Sequence, residues 1–484
     1  MKRAGAYLTV YLSLSLSIVL SLFFVLIEGA RRNMIRMQVE LATDAAMNSV
    51  LGEFNRELLR QYDLFFVDEG YGTSSPSDGR VREHLLSYLK QNYTRCGKLP
   101  FGADKSFTGL ATEELCLTGT RCAADREAAA LREQITAYML ADPAGEAAAE
   151  LLSLVYQYQA AGADETEWSR RKAENERDMQ ELKERAAQRR REKEEQGEQL
   201  PPAEQDPVEA ADSFLDRLAL YQVLGHSFKV SEASADPDCC LSRRALHTGS
   251  GLEVKNTHGY APAGPLLFGE YVMEKCSYFR NRSKDGRLSY QIEYILFGES
   301  SDESNLNRMA GRLLLIRAGI NSLYLFSDSG KQGEAEALAT TVCTVLLVPE
   351  MSEVMKTAIL LAWAYVESLQ DVKTIFAGGK VPLIKDSGSW KTTLFSILAP
   401  GVSTRGEKGG SGFGYEEYLR VFLFLENGWQ KSCRLMDIME MDIRKTEGNE
   451  NFRMDWCMDS FALESSTRSA FGYVCPMRRE ISYN

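Results

Sequence analysis

The chain has 484 residues, 44% hydrophobic and 26% charged, and its 56 Lys and Arg against 68 Asp and Glu leave a net charge of −12. Such a length holds one anchor and two or three globular units, and the apolar fraction is ordinary for a packed protein but too low for one that crosses a membrane many times. The acidic balance excludes nucleic acid as the expected partner, because binding a phosphate backbone requires a concentrated basic face.

A short basic N-terminus, residues 1–5, precedes 22 consecutive uncharged residues from Ala6 to Ile27. As a helix this run rises roughly 33 Å, enough to cross a hydrocarbon core of about 30 Å, so a lipid bilayer is the first expected partner. Ser13, Ser15, Ser17 and Ser21 dilute the run, but a serine hydroxyl can bond back to its own helix. A cleavable signal has an apolar core of about 7–15 residues and a small-x-small site. Here the core is longer and Glu28-Gly29-Ala30 places an acid at the cleavage position, so a retained single-pass anchor is expected. Lys2 and Arg3 precede the run, while Arg31, Arg32 and Arg36 follow it. Cation counting alone would place the C-terminal side in the cytoplasm, although large domains translocate largely regardless of nearby charge.

Residues 28–60 read as a juxtamembrane continuation. Met34, Met37, Leu41, Ala45 and Asn48 recur at three- and four-residue steps, with Arg36, Glu40 and Asp44 interleaved. The first four of these residues are a candidate assembly seam; the plainer reading is an ordinary juxtamembrane helix. Residues 61–160 form a mixed region. QYDLFFVD (61–68) suits a strand, GYGTSSPSDG a loop and VREHLLSYLKQNY a helix, and 93–122 reads as loops or strands. A helical pattern then runs over 125–160 and breaks at Asp142-Pro143.

Residues 161–209 form a highly charged segment. From 165 to 198, 10 basic and 11 acidic residues alternate with almost no apolar stripe, which predicts a solvated helix or a disordered insert that PPAEQDP ends. The rest, 210–484, reads as one helix-rich unit. Its elements are a helix capped by Asp212 and stopped at Gly225, an alternating strand over 288–297, and helices over 304–326, 331–347 and 350–377. Two further helices, YEEYLRVFLFLE and CRLMDIMEMDIRK, precede terminal strands in FRMDWCMDSFALESS and FGYVCPMRREISYN. Helices dominate, strands are local and no βαβ alternation occurs, so the class is α+β: an N-terminal transmembrane helix continuing into a long helix, then a helix-rich domain with a few short strands.

Chemistry is sparse. GGSGFG at 409–414 lacks the Gly-Lys-Ser/Thr end of a phosphate-binding loop and reads as a flexible connection. There are four histidines, His84, His226, His247 and His258, and no Cys/His set has zinc spacing. His247 near Cys239, Cys240, Asp236 and Asp238 could be drawn as a nucleophile site, but proximity in sequence says little about proximity in space. Asp437, Glu440 and Asp442 alternate with Met436, Met439 and Ile443, as a solvated helix face opposite a buried one. Trp363 and Tyr365 read as core. No catalytic, cofactor or metal residue is assigned, and no cofactor is expected.

The N-terminal order of basic-Gly, apolar run, acid and basic pair, followed by ATDAA, resembles TadE/TadG-like membrane proteins of bacterial Flp-type pilus systems. The longer pattern ATDAAMNSVLGEFNRELLRQYDLFFVD is similar to a family of uncharacterised Tad-like membrane proteins. EYILFGESSDESNL, AILLAWAYVESLQDVKTIFAGGKVPLIKDSGSW and GYEEYLRVFLFL look like the same family. The resemblance implies a C-terminal region outside the cytoplasm, with no biochemistry assigned to it. Processed pilin-type signals carry Glu five residues after the processing glycine; with Gly5 in that role the fifth residue is Val10, which argues for an unprocessed chain. In an exported protein Cys96 could bridge to Cys116 or Cys122, with buried thiols as the alternative.

The expectation is therefore a non-catalytic structural or accessory component of a Tad/Flp-pilus-like surface assembly or secretion apparatus. Its partners would be other membrane-anchored components, its own copies among them. The alternatives are a cell-envelope sensor or ligand-binding ectodomain, marked by an apolar cavity within 260–484, and an envelope enzyme whose site is assembled from dispersed residues.

Overall fold

The computed structural model describes residues 2–95, 108–141, 145–162, 165–196, 230–252, 264–282, 286–394 and 410–483. In chain order the elements are α1 (Lys2–Leu51), α2 (Arg56–Tyr62), β1 (Val67–Asp68), α3 (Asp78–Arg95), β2 (Ala111–Cys122), α4 (Asp125–Ala141), α5 (Gly145–Ala160) and α6 (Glu165–Glu195). They continue with α7 (Gly264–Lys275), α8 (Gln291–Phe297), α9 (Asp302–Ser327), α10 (Ser329–Val345), α11 (Ser352–Phe376), α12 (Tyr415–Leu425), α13 (Gly428–Ile443), β3 (Cys457–Arg468) and β4 (Val474–Ser482). The class is α+β, as the sequence predicts. The predicted helix between Asp212 and Gly225 lies outside the described residues.

The chain divides into two compact units. One comprises Met1–Tyr138, Cys239–Ala261 and Met439–Asn484, and the other Met139–Asp238 and Pro262–Ile438. The sequence reading keeps 210–484 together; the structure instead assigns the tail strands and the 239–252 segment to the unit that holds α1. Strand pairing is the physical reason. β3 pairs antiparallel with β2 along one edge, and with β1 and then β4 along the other, so neither early strand has its ladder without the tail.

On one face of this sheet, alternate residues Leu115, Phe461, Leu463, Cys475 and Met477 form a core with α1 and α3. α1 contributes Ile35, Val39, Ala42, Ala46, Met47 and Val50, and α3 contributes Val81, Leu85, Leu89 and Tyr93. The predicted juxtamembrane helix ends at Leu51, where Gly52 follows, and Asn55 starts α2 by accepting the Glu57 and Leu58 backbone N–H groups, each at 3.0 Å. Of the predicted strand 61–68, only Val67–Asp68 is extended, because α2 occupies the residues up to Tyr62.

In the second unit α9 and α11 cross around a buried polar centre. Arg317 donates to Asp371 at 2.8 and 3.0 Å, Lys385 reaches Asp371 at 2.5 Å and also pairs with Glu367, and Asn321 donates to Asp371 at 3.0 Å. The charged segment is a helix, α6, and it is not free of apolar contacts. Trp168 is buried with Ala318, Leu325 and Trp363, and Met179 and Leu182 with Ala339, Cys343 and Met355. Its other faces carry ion pairs at helical spacing, such as Arg171–Glu167 at 2.7 Å and Arg170–Glu174 at 3.0 Å.

The predicted strand at 288–297 is instead helix α8. Its alternation was not one of inside against outside: Gln291 to Leu296 are all buried. The two polar residues face inward because backbone donors meet them there, Ser277 N–H on Gln291 Oε1 at 2.9 Å and Phe279 N–H on Glu293 Oε1 at 2.8 Å. Tyr415 Oη donates to the same Glu293 oxygen at 2.5 Å, and burial pushes this carboxyl up to about 7.

Candidate assembly surface

α1 contains the one stretch, among the described residues, that is long and apolar enough to cross a membrane. Its large apolar side chains from Tyr7 to Ile27 are all exposed. The serines within it are satisfied internally: Ser13, Ser15, Ser17 and Ser21 each donate to a carbonyl three or four residues back, at 2.8–3.0 Å. These four hydroxyls therefore need no water, which suits a hydrocarbon surround. At the end of the run Glu28 binds Arg32 at 2.8 Å and Arg31 at 2.9 Å. The β3–β4 turn lies beside these arginines, with Phe471 under Arg31 at 4.2 Å and Tyr473 under Arg32 at 5.5 Å.

Below Arg32 the helix has two faces. Ile35, Val39, Ala42 and Ala46 are buried on α3 and the sheet. Met34, Met37 and Leu41 are 40%, 58% and 63% exposed, and Ala45 is exposed with them. The predicted seam residues thus share one stripe at three- and four-residue spacing, turned away from the core of their own unit. Charges beside the stripe are already engaged: Arg36 reaches Glu40 at 3.4 Å, and Arg479 reaches Asp44 at 3.3 Å. Gly5 lies in the first turns of α1, before the apolar run.

The other sequence candidates fall elsewhere. Cys116 is an exposed thiol and Cys122 a buried one, so these two are not bridged; Cys96 lies outside the described residues. The glycine-rich loop cradles nothing, because Phe413 and Val381 exchange backbone hydrogen bonds at 2.8 and 3.0 Å. A Cβ at Gly412 would come within 2.3 Å of the Val381 carbonyl oxygen. Asp437, Glu440 and Asp442 are not a solvated face. All three are buried: Tyr294 donates to Asp437 at 2.9 Å, Arg244 and Arg444 hold Glu440 at 2.7 and 2.8 Å, and Tyr62 donates to Asp442 at 2.9 Å. Apart from Arg444, four residues after Glu440, these partners come from distant stretches of chain, which helical periodicity does not show. Trp363 is core, as expected, with its indole N–H on Thr392 Oγ1 at 3.0 Å.

The nucleophile drawn from the sequence does not form. His247 Nε2 faces Glu69 Oε2 at 3.2 Å, while Cys239 receives Arg444 at 3.3 Å. The cysteine whose thiol shares Glu69 with His247 is Cys122, and burial pushes that thiol well up, leaving it protonated and a poor nucleophile.

A family model described as a family of unknown function (DUF5702) matches residues 197–469, more than half of the chain. No curated protein and no solved structure matches it.

Proposed function

We propose, for a chain that belongs to the family of unknown function DUF5702, a role as a single-pass, membrane-anchored, non-catalytic component of a Tad/Flp-pilus-like surface assembly or secretion apparatus. In this reading Ala6–Ile27 crosses the bilayer, the globular units lie outside the cytoplasm, and α1 packs against like helices of neighbouring subunits. The observation that carries it is the two-faced α1: the same helix that offers a lipid-compatible run also presents Met34, Met37, Leu41 and Ala45 away from its own core. Such a stripe, continuous with a span, suits helix–helix packing of the knobs-into-holes kind. The resemblance of the N-terminal pattern to TadE/TadG-like proteins supports the same assignment, and the departure at Val10 favours a chain that keeps its anchor.

The seam is tested with the double substitution Met37→Asp, Leu41→Asp. Both positions are exposed in the single chain, so membrane insertion and thermal unfolding should stay as in the wild type. Recovery of cross-linked higher-order complexes from membranes should fall at least about tenfold, the equivalent of 1.4 kcal/mol. Complexes at wild-type yield would remove the seam. Topology has its own experiment: protease added to cells stripped of their wall should digest the region beyond Leu51 while leaving an N-terminal fragment that retains Ala6–Ile27. A protected C-terminal region would place it in the cytoplasm, and the pilus-like assignment would go with it.

A further inference from the structure

Away from the assembly helix, three side chains with the chemistry of metal ligands converge from separate parts of the unit that contains the sheet. Glu69 follows β1, Cys122 ends β2 and His247 belongs to the segment 239–252. Their ligand atoms all lie within 4.8 Å of one another. Cys122 Sγ is 3.7 Å from Glu69 Oε1, and His247 Nε2 is 3.2 Å from Glu69 Oε2. Glu69 and Cys122 are fully buried, whereas the His247 side chain is 33% exposed and leaves one side of the triangle open to solvent.

We propose that Glu69, Cys122 and His247 bind one zinc ion, through a thiolate, an imidazole nitrogen and a carboxylate oxygen, with a fourth position open to water or another small donor. With zinc–sulfur at about 2.3 Å and zinc–nitrogen or –oxygen at about 2.0–2.2 Å, tetrahedral donors stand roughly 3.3–3.7 Å apart. Cys122 and His247 each stand close to that range from a Glu69 oxygen, Oε1 for the thiol and Oε2 for the imidazole, and the three ligand atoms all lie within 4.8 Å before any ion draws them together. A thiolate beside an imidazole selects against magnesium and calcium, which take oxygen donors. The charges balance: as the ion binds, the Cys122 S–H bond breaks, the proton leaves to solvent and a sulfur–zinc bond forms. Thiolate and Glu69 carboxylate then neutralise the two positive charges.

The surroundings are built to hold the three donors in place. The Asp125 carboxylate accepts the Cys122 backbone N–H at 2.7 Å and the Gly249 N–H at 3.1 Å, so it fixes one ligand directly and the other from two residues beyond it. Position 249 admits only glycine, since a Cβ there would stand 2.2 Å from the Thr120 carbonyl oxygen. Ser250 Oγ accepts the Thr120 N–H at 3.0 Å, and the His247 N–H donates to Asp455 Oδ2 at 2.9 Å. Arg244, bound to both Glu440 and Asp455, anchors the near end of the segment. Directly after Asp125, Arg126, Glu127 and Ala128 sit at φ 49–60°, a left-handed turn of non-glycine residues that the rest of the unit must enforce. The ion would join the 239–252 segment to β1 and β2. This inference is independent of the assembly reading, which the seam and topology experiments test without reference to metal.

The experiment uses the full-length chain in detergent, stripped with a chelator and titrated with zinc chloride against a chromophoric competitor, then with cobalt(II) as a spectroscopic substitute. One zinc per chain is expected, together with a sulfur-to-cobalt charge-transfer band and tetrahedral cobalt absorption. Cys122→Ser should abolish the charge-transfer band, and His247→Gln should weaken zinc binding at least about 100-fold. Asp125→Asn should weaken it by about 10–100-fold, as loss of a ligand-orienting group does. Cys116→Ser, which removes an exposed thiol elsewhere on β2, should change neither readout. A wild-type chain without stoichiometric zinc or without the charge-transfer band would overturn the proposal. So would retention of the band in Cys122→Ser or of full affinity in His247→Gln. Circular dichroism of each variant separates loss of the site from loss of the fold, and the wild-type cobalt spectrum decides if a variant fails to fold.

Discussion

Asp371→Ala should destabilise the protein by about 3–5 kcal/mol, the cost typical of removing one partner from a buried ion pair. The side chains of Arg317, Asp371, Lys385 and Glu367 are all at most 1% exposed, and their four charges sum to zero. Burial alone would raise the Asp371 carboxyl, but Arg317 and Lys385 outweigh it and hold the group below its ordinary range. Without Asp371 the Arg317 guanidinium is left with neutral partners, among them the Pro382 and Leu383 carbonyls at 3.0 and 2.9 Å and Asn321. An uncompensated cation then remains between α9 and α11. Thermal unfolding of the full chain in detergent measures the loss, and a shift equivalent to less than about 1 kcal/mol would mean that water enters and solvates Arg317. Replacing Arg317, Asp371, Lys385 and Glu367 together with apolar residues of similar volume should cost far less than the single change, because no charge is left unpaired.

A pH dependence follows from Glu293, whose carboxyl titrates near 7 when folded against an ordinary value of 4.5. Below about pH 4.5 the group is protonated whether the chain is folded or not, and it contributes nothing to the balance. Between 4.5 and 7 the unfolded chain ionises first, so unfolding gains free energy and stability falls as pH rises; above 7 both states are ionised and the loss levels off at about 3 kcal/mol. Glu293→Gln, which keeps an acceptor for the Phe279 N–H and Tyr415 Oη and cannot ionise, should therefore be more stable than the wild type at pH 8. The difference should shrink towards pH 4.5. Chemical denaturation at the two pH values measures it. Equal stability differences at both would show that Glu293 does not carry the titration.

The elements legible in the sequence are those whose pattern is local. α9, α10, α11 and α12 announce themselves by spacing, as does the stripe of Met34, Met37, Leu41 and Ala45 on α1, whose three- and four-residue steps belong to that helix alone. α8 reads as a strand in the sequence because alternating polar residues normally mean solvent on one side, whereas here buried backbone donors meet Gln291 and Glu293. Asp437, Glu440 and Asp442 misled for the same reason, with Tyr294, Arg244 and Tyr62 as unforeseen partners. The cluster of Glu69, Cys122 and His247 had no signal to give. Its members are far apart in sequence and meet only because β3, from the end of the chain, brings β1 and β2 into one sheet. α6 makes its apolar contacts through few residues, Trp168 near its start and Met179, Leu182 and Ala186 further on, too sparse to register as a stripe over 31 residues.

The unbroken course of α1 has a mechanical meaning. From Lys2 to Leu51 it contains no proline and no break, and its lower half is clamped between α3 and the sheet. A rod gripped in this way transmits twist. Turning the apolar half about its axis turns Ile35 and Val39 with it, and through them the whole sheet. The direction of the sheet is in this way tied to the direction of the rod, and α1 runs as one helix through Gly29, the single glycine between its two halves.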